Sequence, residues 1–156
     1  MKQIDTLLSK YGESHMNTTN KLIHWVCVPA IMFSLFILLY SIPFFMDRTF
    51  FTNWGMVILL LALLYYARLS IIMFAGFLLI GFVMIWAINY LYAWSGYNAG
   101  MLALWGVIIF VTAWIGQFIG HKIEGKKPSF LQDLQFLLIG PAWLLSFIFK
   151  KVGITY

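Results

Sequence analysis

Charge is what this sequence has least of. Only 10% of its 156 residues are Asp, Glu, Lys or Arg, and only five of those are acidic, whereas 63% are hydrophobic and 19% aromatic. A soluble domain of this length needs far more polar side chains to cover its surface. The scarcity excludes an ordinary soluble globule and predicts a single all-α integral membrane domain over residues 1–156. Cysteine is scarcer still. Cys27 stands alone, so no intrachain disulfide can form, and within an apolar run a thiol reads as a small hydrophobe. No cleavable leader is expected either, because residues 1–21 are polar and contain no short apolar core before a small-residue site. The first apolar run is therefore expected to stay and to act as its own insertion signal. The formal charge of +5 is not gathered into a basic helix or a stacking platform, which excludes nucleic acid as a partner. Membrane lipids, with anionic headgroups on the cytoplasmic side, are the expected counterpart.

What is abundant is apolar sequence without interruption. No charge falls between Leu22 and Met46, between Thr49 and Ala67, or between Leu69 and His121. The third interval is too long for one crossing, and "WSGYNAG" at 94–100 divides it with turn-forming Gly, Ser and Asn. Spans are therefore expected at 22–46, 49–67, 69–93 and 100–121. A last run, 134–149, carries Gly140-Pro141 at its centre, where proline removes a backbone donor. It is expected either to dip in and return as a re-entrant or interfacial hairpin, or to cross with a kink as a fifth span. Four crossings place Lys2, Lys10, Lys21, Arg68, Lys122, Lys126, Lys127, Lys150 and Lys151 on one side and only Arg48 on the other. That split satisfies the positive-inside rule better than five crossings do, and it puts both termini in the cytoplasm. Before the spans, Ile4, Leu7, Leu8 and Tyr11 fall at helical spacing and predict a short helix on the membrane surface.

Three histidines complete the polar inventory, and all lie at edges of apolar runs. His15 and His24 precede or begin the first span, and His121 ends the fourth. An even number of crossings separates these edges, so all three belong to one face of the membrane. Asn20 and His24 are i, i+4; Gln117, His121 and Glu124 are i, i+4, i+7, with Trp114 extending that face inward. His15 lies nine residues before His24, which on one continuous helix would point it the opposite way. The two can meet only if the chain breaks between them, and Asn17-Thr18-Thr19 is the expected place. Two readings of the residues stand. Three imidazoles beside a carboxylate suit iron, zinc, copper or nickel, and ionisable groups near lipid rarely lack a use. Alternatively the histidines are amphipathic interface residues, Asn20 and Gln117 tie helices together, and Glu124 pairs with Lys122, Lys126 or Lys127 on a solvated loop. For Glu124 taken alone the loop role is the favoured one. "GQFIG", Gly116 to Gly120, is a small-xxx-small pattern that indicates close helix packing.

The strings "YGESHMNTTNKLIHWVCVP", "WIGQFIGHKIEGKKPS" and "FLLIGP" resemble the 2-hydroxy fatty acid dioxygenases over about residues 5–150. The resemblance implies an iron(II) enzyme of fatty acid α-oxidation. Such an enzyme takes a long-chain 2-hydroxy fatty acid and dioxygen, and releases carbon dioxide and the acid one carbon shorter. It uses no 2-oxoglutarate. Residue by residue, His15, His24 and His121 inherit the iron-ligand role. Asn20, Gln117 and Glu124 become catalytic-site residues that orient the imidazoles or add a ligand, and Glu13 also stays open as a ligand. Lys21 and Lys122 flank the histidines and are expected to draw in the substrate carboxylate. A bacterial inner membrane, or the endoplasmic reticulum in a eukaryote, is the expected location, with the site on the cytoplasmic side. The histidine-rich boxes of di-iron hydroxylases and the HExxH of zinc proteases are absent. The remaining alternative is a small non-enzymatic transport or assembly protein with incidental histidines.

Overall fold

The computed structural model describes residues 2–125 and 130–156, and the side chains of these apart from 130–136. The described residues form six helices: α1 (Gln3–Gly12), α2 (Thr18–Ser41), α3 (Trp54–Leu69), α4 (Ile71–Trp94), α5 (Ala99–Glu124) and α6 (Phe130–Lys151). No strand occurs among the described residues. Three helices, α2, α4 and α5, are long and apolar enough to cross a membrane. With 16 residues, α3 is shorter. At ~1.5 Å per residue it reaches about 24 Å, against a hydrocarbon core of ~30 Å.

Short polar residues set the helix starts. Asn17 caps α2 by accepting from the amides of Thr19 and Asn20, Asn53 caps α3 through Met56, and Asn98 caps α5 through Met101. The expected turn before α5 is present, with Gly96 and Tyr97 both at positive φ. The first apolar helix is displaced from the expected 22–46. It begins four residues earlier, at its Asn17 cap, and stops at Ser41, just before Pro43. Pro29 lies inside α2 without ending it.

Helices α2 and α5 form the central antiparallel pair. Gly106 meets Ile37 and Leu38, Gly116 meets Cys27, and Gly120 meets Asn20, so a Cβ at any of the three would collide with α2. The small-residue pattern therefore does what it predicts, and Cys27 packs as a small hydrophobe against it. Helices α3 and α4 pair similarly, with Leu59 over Gly81 and Tyr66 stacked on Phe77 at 3.9 Å between ring centres. At the far end of the bundle Tyr40 donates to Asn89 and the Arg48 guanidinium donates to Tyr92 and to the Ser41 carbonyl.

Two expectations are corrected here. Residues 130–151 form one helix with no reversal, so the last apolar run is not a hairpin. The contacts of its described side chains nevertheless stay at the histidine end. The Leu138 carbonyl accepts from Tyr66, Phe147 lies against Trp25, and Leu145 and Phe149 meet Gly76. Those partners all sit within about 10 Å of the helix ends at ~1.5 Å per residue. Thus α6 lies across one end of the bundle. The second correction concerns α1. Its apolar stripe is present as expected, with Ile4, Leu8 and Tyr11 buried, but it packs on α6 rather than lying free on a membrane surface. Gly140 makes room for the Tyr11 hydroxyl, and Lys2 donates to the main-chain carbonyl of Tyr156.

Candidate metal centre

The end of α1, the start of α2 and the end of α5 bring the three histidines together. After Gly12 the chain turns, and the His15 amide donates to the Gly12 carbonyl. This turn swings His15 back over its own helix. Its ring stacks on Tyr11 at 4.2 Å and 14°, and Trp143 of α6 covers it at 5.3 Å. The break needed to join His15 to His24 thus exists, but it lies at Glu13–Asn17. Thr18 and Thr19 already belong to α2, because Asn17 takes the capping position.

His15 and His24 are 3% and 1% exposed, and His121 is half-buried. The ring centres of His121 lie 5.6 Å from His15 and 5.1 Å from His24, and one ligand nitrogen from each histidine falls within 4.8 Å of the others. The tautomers of the inner pair follow from their partners. His15 Nδ1 lies 2.7 Å from the Tyr11 carbonyl oxygen, and His24 Nδ1 lies 2.9 Å from that of Asn20. A carbonyl only accepts, so each Nδ1 carries the hydrogen and donates. Each Nε2 of the neutral ring is then a lone pair. The two Nε2 atoms lie 2.9 Å apart. Two buried acceptors in such contact repel unless a proton or a cation lies between them. Nitrogens bound cis to a metal at ~2.1 Å would be about 3.0 Å apart, so the pair fits two adjacent positions of an imidazole-bound ion. A main-chain carbonyl on the other ring nitrogen is also the usual way a metal-binding imidazole is oriented.

Glu124 departs from its expected loop role. Its carboxylate accepts from the main-chain amides of Met16 and Asn17, at 2.8 and 2.9 Å, and from the Asn20 side chain at 2.9 Å. It therefore fastens the Glu13–Asn17 link and the start of α2 to the end of α5. Pairing with Lys126 or Lys127 lies outside the described residues. Among the described residues the cluster consists of the three histidines alone, without Glu13 or Glu124. Asn20 is fully buried between Glu124 and Gly120, and its main-chain carbonyl orients His24. Gln117 is buried one turn before His121, and its amide nitrogen has no partner among the described residues.

The two expected carboxylate-attracting lysines separate. Lys21 lines a cavity of about 450 Å³ that reaches His15 and is also bounded by Glu13, Trp143, Ser146 and Lys150. Lys122 is exposed and lies outside that lining. The sequence marks Tyr11 only as part of the apolar stripe of α1 and gives no role to Trp143, yet these two rings enclose His15. Tyr11 sits four residues before His15, the spacing at which a main-chain carbonyl reaches a following side chain. Trp143 has no such signal, because only the tertiary docking of α6 delivers it.

The model of the 2-hydroxy-palmitic acid dioxygenase family called Mpo1-like matches residues 1–152. No curated protein and no solved structure matches this chain. A match over nearly the whole chain, together with the three histidines gathered at one end of its helices, leads to one identification: this protein belongs to the Mpo1-like, 2-hydroxy-palmitic acid dioxygenase family.

Proposed function

We propose that this protein is an iron(II)-dependent dioxygenase of fatty acid α-oxidation, working at the cytoplasmic face of a membrane. The observation that carries the reading is the 2.9 Å approach of the buried Nε2 atoms of His15 and His24, with each Nδ1 atom against a main-chain carbonyl. His15, His24 and His121 would hold the ion. Bound there with open positions, iron(II) supplies a redox-active centre that accepts both dioxygen and the hydroxy-carboxylate head.

The reaction balances without a co-substrate. A 2-hydroxy acid and dioxygen yield the acid one carbon shorter, carbon dioxide and water. The bond between the carboxyl carbon and the hydroxyl-bearing carbon breaks. All the electrons that reduce dioxygen come from those two carbons, which removes any need for 2-oxoglutarate.

The chain's own residues prepare the centre. Tyr11 and Trp143 exclude water from one flank of His15. The carbonyls of Tyr11 and Asn20 fix the inner tautomers, and Glu124 with Asn20 holds the three chain segments in register. Lys21, on the cavity wall beside His15, supplies positive charge where a carboxylate would enter. The exposed apolar faces of α2, α4 and α5 suit surrounding acyl chains, so a lipid substrate can arrive sideways from the bilayer. The test is to incubate purified, iron-loaded protein with 2-hydroxypalmitate in air. Pentadecanoic acid and carbon dioxide are expected. Undiminished turnover after thorough chelation, or strict dependence on 2-oxoglutarate, would contradict the reading.

A further inference from the structure

Two side-chain donors on α5 end without an acceptor. The Gln117 amide nitrogen and the Trp114 indole nitrogen are both buried, and neither has a hydrogen-bond partner among the described residues. Gln117 as a whole is 5% exposed. Both groups can only donate. Among apolar helices no water is at hand to replace a missing acceptor, so a donor left unpaired there calls for an explanation.

The two donors are neighbours, and they sit beside the histidine cluster. At ~100° per residue, His121 lies about 40° and Trp114 about 60° round the helix from Gln117, in the same direction. Gln117 is one turn deeper than His121, and Trp114 nearly one turn deeper again. Gly116 and Gly120, on the other flank of Gln117, close against α2. On the Trp114 flank Phe118 is exposed, and the Phe110 ring lies 6.0 Å from that of Trp114. A strip therefore descends α5 from His121 through Gln117 and Trp114 to Phe110, next to the helix seam rather than within it. It is polar at the histidine end and aromatic toward the middle of the helix, which is the polarity of a fatty acid lying with its head at the histidines.

We infer that Gln117 Nε2 and Trp114 Nε1 hold the oxygen-bearing head of the acyl substrate from its membrane side, with the tail continuing past Phe110. This rests on the 2-hydroxy acid reading and specifies it: the carboxylate and 2-hydroxyl oxygens provide the acceptors that both nitrogens lack. A site built around such donors discriminates against an acyl chain that leaves one of them unpaired. The competing role for Gln117 is structural, as a tie to Asn20 Oδ1, which is also buried without a partner. That tie would leave the indole of Trp114 unexplained.

The test separates binding from metal uptake. Full-length protein, freed of metal by chelation, is titrated with 2-hydroxypalmitate by calorimetry, and iron uptake is measured separately. Gln117→Leu and Trp114→Phe should each weaken 2-hydroxypalmitate about tenfold while iron uptake stays at the wild-type level. If Gln117→Leu does not fold, Gln117→Glu keeps the shape and replaces the donor with a carboxylate, and it should lose 2-hydroxypalmitate binding more completely. Unchanged affinity in either Gln117 variant, accompanied by a lower melting temperature, would assign Gln117 to the Asn20 tie and overturn the inference for it. Unchanged affinity in Trp114→Phe would overturn it for the indole. Failure of the parent reading shows differently: wild-type protein would then take up iron yet neither bind nor convert 2-hydroxypalmitate.

Discussion

Asn20 donates from its side-chain amide to Glu124 Oε2 at 2.9 Å, across 104 residues of chain. This bond joins the first turn of α2 to the last turn of α5. The same carboxylate takes the amides of Met16 and Asn17, so one acidic side chain anchors the segment that delivers His15. Glutamine at 124 keeps the size but loses the charge, and it turns an NH₂ toward amide donors. Glu124→Gln should lower metal affinity by about 10–100-fold, the range seen when groups that orient metal ligands are removed. Isothermal titration with iron(II) under anaerobic conditions measures it. Wild-type affinity in the variant would return Glu124 to the role of a loop charge.

The α2–α5 seam predicts a double-mutant rescue. A Cβ at Gly116 would fall against Cys27 Sγ. Gly116→Ala should therefore destabilise the protein by roughly 1–3 kcal/mol, as overpacking does. Cys27→Ala removes the sulfur, and the double variant should recover much of the loss. Thermal unfolding in detergent of the four proteins gives the coupling directly. Additive melting shifts would show that the two residues do not meet.

Membrane orientation follows from α6. Because its contacts remain at the histidine end, Tyr156 and Gly125 should lie on one side and Asp47 on the other. By the positive-inside rule, the nine-to-one Lys/Arg split predicts that the first side faces the cytoplasm. Reporter fusions or cysteine accessibility at these three positions check the assignment. A C-terminal reporter on the opposite side from Gly125 would mean that α6 crosses the membrane.

The convergence of the histidines is legible in the sequence because it needs only the parity of crossings and the sparsity of polar residues. The helix seam is legible too, since glycine at i, i+4 in an apolar helix leaves little else for it to do. Helix limits are less so. The start of α2 depends on a single capping bond at Asn17, hidden among neighbouring threonines that cap equally well on paper. Glu124 is misread from local charges alone. Lysines at 122, 126 and 127 are close in sequence, whereas its actual donors are main-chain amides more than a hundred residues away. The burial of α1 against α6 escapes for a related reason. An amphipathic stripe states that a face is covered, and not whether lipid or protein covers it.

The central claim is that the facing imidazoles of His15 and His24, completed by His121, form a metal site. The most direct measurement is anaerobic iron(II) loading of the wild-type protein and of His15→Ala, His24→Ala and His121→Ala, with metal content determined on folded, monodisperse material and turnover of 2-hydroxypalmitate followed beside it. Iron stoichiometric with the chain in the wild type, and loss of most metal and activity in each variant, is the predicted result. A folded His15→Ala protein that keeps its full iron and activity would contradict it, because the 2.9 Å approach of the two buried Nε2 atoms would then have no part in holding the ion.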